Sequence, residues 1–340
     1  MNILLTGGMG YIGSHTAVAL QTAGHTVVLY DNLANSNADV GARVARISGA
    51  PPVFIKADVR DTTSLRNALK TYGIHAVVHF AGLKAVGESV EKPIEYYANN
   101  VQGTISLLEA MRDEAYKTLV FSSSATVYGE PEYLPIDEDH PLRVTNPYGR
   151  CKLHIEHMLA DASAADPDWK IVCLRYFNPV GAHASGLIGE DPEGIPNNLM
   201  PYIARVASGQ LAELQVFGGD YPTPDGTGVR DYIHVMDLAE GHAAALAWLA
   251  TRPGWRAINL GTGRGYSVLE MRAAFAAASG QAVPYRIAPR RAGDVAACYA
   301  NPARAKRELG WQATRGIEEM CQSVWRFQQQ RSRFRDQGSE

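Results

Sequence analysis

Thr6-Gly7-Gly8-Met9-Gly10-Tyr11-Ile12-Gly13 lies where a predicted strand, Ile3–Thr6, gives way to a predicted amphipathic helix, Ile12–Ala23. Its glycines fall as G-x-x-G-x-x-G. Gly7, Gly10 and Gly13 permit a tight turn and let a pyrophosphate approach the helix N-terminus, where free N–H groups and the helix dipole favour an anion. A glycine triplet alone can be an ordinary turn. The strand-loop-helix context, and Asp31 at the end of the second predicted strand, Thr26–Tyr30, make it a dinucleotide site. Asp31 can accept hydrogen bonds from adenosine ribose hydroxyls and would repel a 2′-phosphate. The next basic residue along the chain is Arg43, so NAD is expected over NADP. Asp58, after the third strand, can meet the adenine or simply cap a helix.

Outward from this loop the pattern repeats. Predicted strands Val53–Ile55, Ala76–Phe80, Thr118–Ser122 and Ile171–Arg175 alternate with helices Ser64–Tyr72, Ile94–Arg112 and Pro147–Ala165. Such alternation implies an α/β fold with a Rossmann-type, doubly wound parallel sheet. After Arg175 comes a loop-rich stretch from Asn178 to Asn198. Short strands (Leu214–Phe217, Arg256–Asn259, Pro284–Ile287) and helices (Leu199–Ser208, Val235–Ala250, Val268–Ser279, Pro302–Leu309, Ile317–Gln330) follow, which suits a smaller C-terminal α/β lobe. The expected division is an NAD-binding domain over 1–177 and a substrate lobe over 178–340, with the chain free to cross back. The polar tail from Arg331 to Glu340 is expected to fray.

The 340 residues are 46% hydrophobic and 20% charged with a formal net charge of −3, enough for a large core and without the basic field that nucleic acid or an anionic membrane requires. A small-molecule partner fits better. The start Met1–Gly7 has no basic region followed by a long apolar run, and no later run reaches membrane-spanning length, so a cytoplasmic protein is expected. The four cysteines, Cys151, Cys173, Cys298 and Cys321, form no C-x-x-C pair and read as free thiols. Of the ten histidines only His154 and His157 lie at helical spacing on a predicted helix, with no further ligands nearby, so no metal site is expected.

Tyr148 and Lys152 share one face of a predicted helix. That spacing is weak by itself, but the fifth strand runs into Ser122-Ser123-Ser124-Ala125-Thr126 and delivers a hydroxyl to the carboxyl edge of the sheet, where ligands bind in this architecture. A phenol has a pKa of about 10, and lowering it to about 7 takes roughly 4 kcal/mol of differential stabilisation. Lys152 and a positive nicotinamide ring are candidate sources. Tyr148 would then take a proton from a substrate hydroxyl, with Ser124 holding that hydroxyl or relaying its proton.

The sequence resembles the extended short-chain dehydrogenase/reductase superfamily and, within it, the UDP-glucose 4-epimerase family, over essentially the whole chain. The resemblance is carried by Thr6–His15, His79–Ser89, Ser122–Gly129, Leu174–Ala182 and Gly228–Val235. It implies that Tyr11, Ile12, Asp31, Asn32, Asn35, Ser36, Asp58, Val59, Phe80, Ala81, Gly82, Lys84, Asn99, Tyr148, Lys152 and Phe177 surround NAD. For a UDP-sugar it implies Lys84, Ser124, Tyr148, Asn178, Asn198, Leu199, Val216, Phe217, Arg230, Arg291 and Asp294, with Cys298 beside the substituent on sugar carbon 2. Two arginines can neutralise a diphosphate, although each alone could be a solvated surface residue.

The implied reaction interconverts UDP-glucose and UDP-galactose through a 4-keto sugar that turns over between hydride removal and return. A small residue at Cys298 extends this to the N-acetylated pair. The resemblance also implies a homodimer built on Ile94–Arg112 and Pro147–Ala165. A reductase, a dehydratase or a non-catalytic NAD sensor could use the same fold. Dehydratases of this superfamily place acids beside the catalytic hydroxyl, where this chain has Ala125 and Thr126, and a sensor has no need of Ser124, Tyr148 and Lys152 together.

Overall fold

The computed structural model describes residues 1–192, 194–291 and 293–337. The alternation runs β1 (Asn2–Thr6), α1 (Tyr11–Thr22), β2 (Thr26–Asp31), α2 (Val40–Ser48), β3 (Val53–Lys56), α3 (Thr62–Thr71) and β4 (Ala76–His79). It continues through α4 (Val86–Glu91), α5 (Pro93–Tyr96), α6 (Gln102–Asp113), β5 (Thr118–Ser124), α7 (Pro147–Ala165) and β6 (Lys170–Tyr176). The single helix expected over Ile94–Arg112 is instead broken by a π-helical turn, Tyr97–Val101, between α5 and α6. The reason lies in Asn100, whose side chain leaves the helix to pair with the Leu83 backbone, accepting from its N–H at 2.8 Å and donating to its carbonyl at 3.0 Å. Widened turns of this kind are frequent at functional sites.

The rest of the chain gives β7 (Asn178–Val180), α8 (Leu199–Ala207), β8 (Leu214–Phe217), β9 (Val229–His234), α9 (Val235–Leu249) and β10 (Gly254–Leu260). It ends with β11 (Gly265–Ser267), α10 (Val268–Ser279), β12 (Tyr285–Ala288), β13 (Ala297–Cys298), α11 (Ala303–Leu309) and α12 (Ile317–Gln337). Among the described residues the main sheet has seven parallel strands in the order β10-β6-β5-β4-β1-β2-β3. The order reverses between β1 and β4, which opens a crevice at the carboxyl ends of those strands.

Two expectations are corrected here. Arg256–Asn259 and Val235–Ala250 do not belong to the smaller lobe. β10 pairs with β6 along its whole length, and α9 buries Leu238, Ala245, Leu246 and Leu249 in the same core as Ala17, Val18 and Leu20 of α1. Both are apolar enough to be covered on more than one side, a property of central α/β elements. The tail does not fray at Arg331, because α12 continues to Gln337; the last three residues lie outside the described residues.

Strand alternation divides the main core. Ile3, Leu5, Val78, Val120 and Leu174 face α1 and α9, whereas Leu4, Val77, Leu119, Phe121 and Cys173 face the α3, α6 and α7 side. A second core joins α8, α10 and α12 to β8 through Met200, Ile203, Val216, Met271, Phe275 and Met320. β7, β9, β11 and β13 form a small sheet beside it. Among the described residues no helix is long and apolar enough to cross a membrane.

Candidate active site

The glycine loop is shaped by contacts that a side chain would block. A Cβ at Gly7, whose φ is +70°, would lie 2.7 Å from the Ala81 nitrogen, and one at Gly13 would lie 2.4 Å from the Gly7 carbonyl oxygen. Hydrogen bonding within α1 begins with Ser14 N–H donating to Gly10 (2.9 Å), so the preceding N–H groups of Tyr11, Ile12 and Gly13 head the helix. Nearby, Asp31 is almost wholly buried. Its carboxylate accepts from Met9 N–H (3.0 Å), Leu33 N–H (2.8 Å) and Ser36 Oγ (2.9 Å), tying the Asn32–Ser36 loop to the glycine turn. Asn32 donates to Asp58 Oδ2 at 3.1 Å, while Asn35 lies exposed in the same loop.

Asp58 does not cap a helix; Asp61 does, accepting from Ser64 N–H. Asp58 is gripped by Arg60 through Nε (2.9 Å) and Nη2 (2.8 Å), and this pairing holds its carboxyl well below the usual carboxylate range. Val59 is buried against Gly103. On the far side of the glycine turn, Phe80 N–H donates to the Thr6 carbonyl (2.9 Å), and Ala81 and Gly82 follow against Gly7 and Asn100. Asn99 donates to Asn100 Oδ1 at 2.9 Å. His79 ties β1 to β4 between the hydroxyls of Thr6 (2.6 Å) and Thr104 (2.9 Å), and burial lowers its pKa to about 3.

β5 and α7 deliver the reacting groups. Asn146 caps α7 by accepting Gly149 N–H (2.8 Å), and Pro147 starts its first turn. Tyr148 and Lys152 then project from one face, with the Lys152 nitrogen 5.8 Å from the Tyr148 ring centre and 4.8 Å from that of Phe121. Lys152 donates to the Ser122 carbonyl at 2.5 Å. Burial lowers its pKa to about 8, which leaves it mostly protonated at neutral pH. Burial pushes the Tyr148 phenol up to about 12, with a hydrogen bond from Ser124 opposing the shift. Desolvation is the largest influence on this phenol, because burial disfavours its charged form. Ser124 closes β5 and accepts Thr126 N–H at 3.2 Å.

The substrate-side residues meet around β7, β9 and β13. Asn178 pairs with Tyr232 in register, and Cys298 pairs with Arg230. Arg230 donates to the Val229 carbonyl (2.8 Å), and among the described residues no carboxylate pairs with it. Arg291 lies over the Phe217 ring (4.8 Å) and pairs with Asp294 at 3.0 Å. Both arginines pull the buried Tyr232 phenol downward electrostatically, against the larger upward effect of burial, which puts both within electrostatic reach of that side chain. Phe177 belongs to the cluster against which Cys298 packs. Asn198 and Leu199 begin α8, and Val216 is buried in the second core while Phe217 reaches the surface.

Lys84 and Asn198 converge on a residue that the motif reading passes over, Glu190. Its Oε1 lies 3.0 Å from Lys84 and 2.6 Å from Asn198 Nδ2. Asn100, Glu156, Arg175 and Asp231 are likewise buried polar residues near the cleft. The signal for two of them was present: Arg175 interrupts an apolar strand, and Glu156 falls one turn after Lys152 on the buried face of α7. Asp231 accepts from Thr262 N–H (2.9 Å), Gly263 N–H (2.9 Å) and Ala300 N–H (3.1 Å), so it pins the segment after β13.

The crevice, glycine turn and hydroxyl-phenol-ammonium set define a dinucleotide-dependent enzyme. The NAD dependent epimerase/dehydratase family model matches residues 3–261, and the chain belongs to that family. It is 60% identical over 328 residues to a UDP-glucose 4-epimerase of Bacillus subtilis, covering 96% of this chain and 97% of that protein. It is 56% identical over 335 residues to the UDP-glucose 4-epimerase of Homo sapiens, covering 96% of each. A crystal structure of the UDP-glucose 4-epimerase from Stenotrophomonas maltophila, with bound NAD and formylated UDP-arabinopyranose, superposes with a TM-score of 0.97 at 53% identity. That match covers 98% of this chain and 99% of the other.

Proposed function

We propose that the chain is a UDP-hexose 4-epimerase that carries NAD and interconverts UDP-glucose and UDP-galactose. The observation that carries this reading is the convergence of Ser124, Tyr148 and Lys152 at the carboxyl end of β5, beside the glycine turn and with no acid at residues 125 and 126. The pocket residues fit NAD. The turn around Gly7 and Gly13 is too tight for side chains and leads to a helix N-terminus, and the buried Asp31 at the end of β2 is tied to that turn through Met9 N–H. Gly7, Gly10, Tyr11, Ile12 and Gly13 would hold the pyrophosphate; Asp31, Asn32, Asn35, Ser36, Asp58 and Val59 the adenosine; Phe80, Ala81, Gly82, Lys84, Asn99, Tyr148, Lys152 and Phe177 the nicotinamide half. When bound, NAD supplies a hydride acceptor and a fixed positive charge.

The chain's own residues do the rest. Tyr148 Oη takes the proton of the hexose 4-hydroxyl, Ser124 Oγ orients that hydroxyl, and the Lys152 ammonium stabilises the phenolate. Burial pushes the phenol up, and a positive charge brought beside it would favour the phenolate. Arg230 and Arg291 hold the diphosphate, with Asn178, Asn198, Leu199, Val216, Phe217 and Asp294 around the nucleotide and Lys84 reaching both ligands. A firm grip on UDP leaves the hexose free to turn.

Two finer statements belong to the same reading. Cys298 faces the cluster of Ala125, Val127 and Phe177, whereas the Tyr299 ring lies against Gly265 on the other side of β13. With Cys298 rather than Tyr299 as the residue beside the hexose, the smaller side chain leaves room for turnover of UDP-N-acetylglucosamine and UDP-N-acetylgalactosamine. The chain also pairs as a homodimer in the cytoplasm. Exposed Val86, Val90 and Ile94 form an apolar strip on α4 and α5 beside α7, and the described cysteines are free thiols. Incubation of purified protein with UDP-galactose, followed by separation of products, tests the function: UDP-glucose is expected, and unchanged UDP-galactose rejects it. Sedimentation of Ile94→Asp tests the pairing, with a monomer expected.

A further inference from the structure

The reacting groups come from two elements, Ser124 from the end of β5 and Tyr148 with Lys152 from the start of α7. Their spacing depends on how that strand end is joined to that helix. The join is polar and buried. Ser123 and Arg175 are partners across the β5–β6 pairing. Ser123 Oγ donates to Glu156 Oε1 at 2.5 Å, and Arg175 holds the same carboxylate through Nε (3.0 Å) and Nη2 (2.6 Å). The Arg175 and Glu156 side chains keep 3% and 1% of their exposure. Arg175 Nη1 also donates to Tyr128 Oη (3.0 Å), which donates to Asn259 Oδ1 (2.6 Å) on β10.

Around this network the same face of the sheet is apolar, with Phe121, Ile155 and Cys173. An ion pair in such a place is costly to desolvate, and well-packed apolar residues would often serve stability as well. What it adds is direction, since hydrogen bonds fix distances that apolar contacts leave adjustable.

We propose that Glu156 is a positioning residue of the reaction: through Ser123 and Arg175 it sets the spacing of Ser124 from Tyr148 and Lys152, and its charge supports the Lys152 ammonium one turn away. The proposal rests on the epimerase reading. Lys152 is faced by Tyr148, Cys151 and Glu156 of α7, Cys173 of β6, His79 of β4 and the Ser122 carbonyl of β5, with Arg175 on the far side of the Glu156 pairing. Burial raises both thiols and lowers His79, so these are neutral. Among the described residues facing Lys152, Glu156 is the anion.

The test uses purified holoenzyme with UDP-galactose. Ser123→Ala keeps the ion pair but releases the strand, and kcat is expected to fall by about 5- to 100-fold with KM little changed, the signature of misplaced reacting groups. Glu156→Gln is expected to move the alkaline limb of the kcat–pH profile to lower pH, because Lys152 then loses its proton more readily; a packing role would leave the limb in place. Glu156→Gln leaves Arg175 buried without its counter-charge and can fail to fold. The paired replacement of Glu156→Gln with Arg175→Met therefore provides a second background, in which adding Ser123→Ala is expected to cost nothing further. Wild-type kcat in Ser123→Ala, an unmoved limb in folded Glu156→Gln, or full additivity in the paired background overturns the proposal. An inactive wild type instead overturns the epimerase reading itself, and this role with it.

Discussion

Cys298 stands in parallel register with Arg230 across the pairing of β13 with β9, and its side chain packs toward the turn that follows Ser124. On the proposed function, a residue so placed would limit the room beside the hexose and leave the diphosphate contact untouched. Cys298→Tyr is expected to abolish turnover of the N-acetylated pair and spare UDP-glucose and UDP-galactose by steric exclusion. Comparison of kcat/KM for both pairs in wild type and variant checks this. Equal loss of both activities, or a wild type inert toward the N-acetylated pair, removes Cys298 as a gate.

Tyr148→Phe takes away the proposed proton acceptor and little packing. Turnover should fall by about 10²-fold or more, with folding and NAD content preserved. Retention of more than about a tenth of the wild-type rate contradicts the general-base role.

Lys152→Met removes the ammonium 5.8 Å from the Tyr148 ring, whose phenol burial pushes up to about 12. The acid limb of the rate profile, which reports loss of the Tyr148 proton, should move to higher pH. Coincident profiles for wild type and variant would show that Lys152 acts only by shape.

In the proposed cofactor site Asp31 would repel a 2′-phosphate by charge, and residues 32–37 offer no compensating base. Replacing Asp31 with Asn and Asn32 with Arg should narrow the difference between NAD and NADP affinity, read as ligand-induced thermal shifts of cofactor-stripped protein. An unchanged preference argues against the ribose contact.

Acid stability gives an independent check on the buried histidines. Burial lowers His15, His79 and His234 to about 3 and His242 to about 4. Their unfolded value is about 6.5, so below that pH the unfolded chain binds protons the folded chain does not. The stability they contribute is complete above pH ~6.5 and declines as pH falls toward 4, at up to about 1.4 kcal/mol per unit for each histidine. Tm should already drop between pH 7 and 5, before most carboxylates titrate; a flat Tm over that window contradicts it.

The first sheet and its cofactor turn were legible because local signals agree there: glycine spacing, an apolar strand, an amphipathic helix and an acid at the end of β2. Tyr148 and Lys152 were legible because helical spacing is short-range. The assignment of β10 was not. Ala257–Leu260 is an apolar run like those in either lobe, and its partner β6 is set by a pairing far along the chain. The π-helical turn escaped for a related reason, since it depends on Asn100 reaching Leu83 in space. Glu190 meets Lys84 and Asn198 only through contacts between distant segments; Arg175 in an apolar strand and Glu156 on the buried face of α7 each left a signal, but their pairing is a tertiary contact that neither signal names.

The most direct test is hydride bookkeeping at carbon 4. Purified protein, with no cofactor added, is given UDP-galactose deuterated at C4 and mixed with unlabelled substrate carrying a second, distinguishable label in the uracil. The expected product is UDP-glucose with deuterium still at C4 of the molecules that began with it, because hydride leaves and returns to one bound sugar held by its UDP. Loss of deuterium to water, scrambling between the two populations, or a need for added NAD would contradict epimerisation by a resident cofactor.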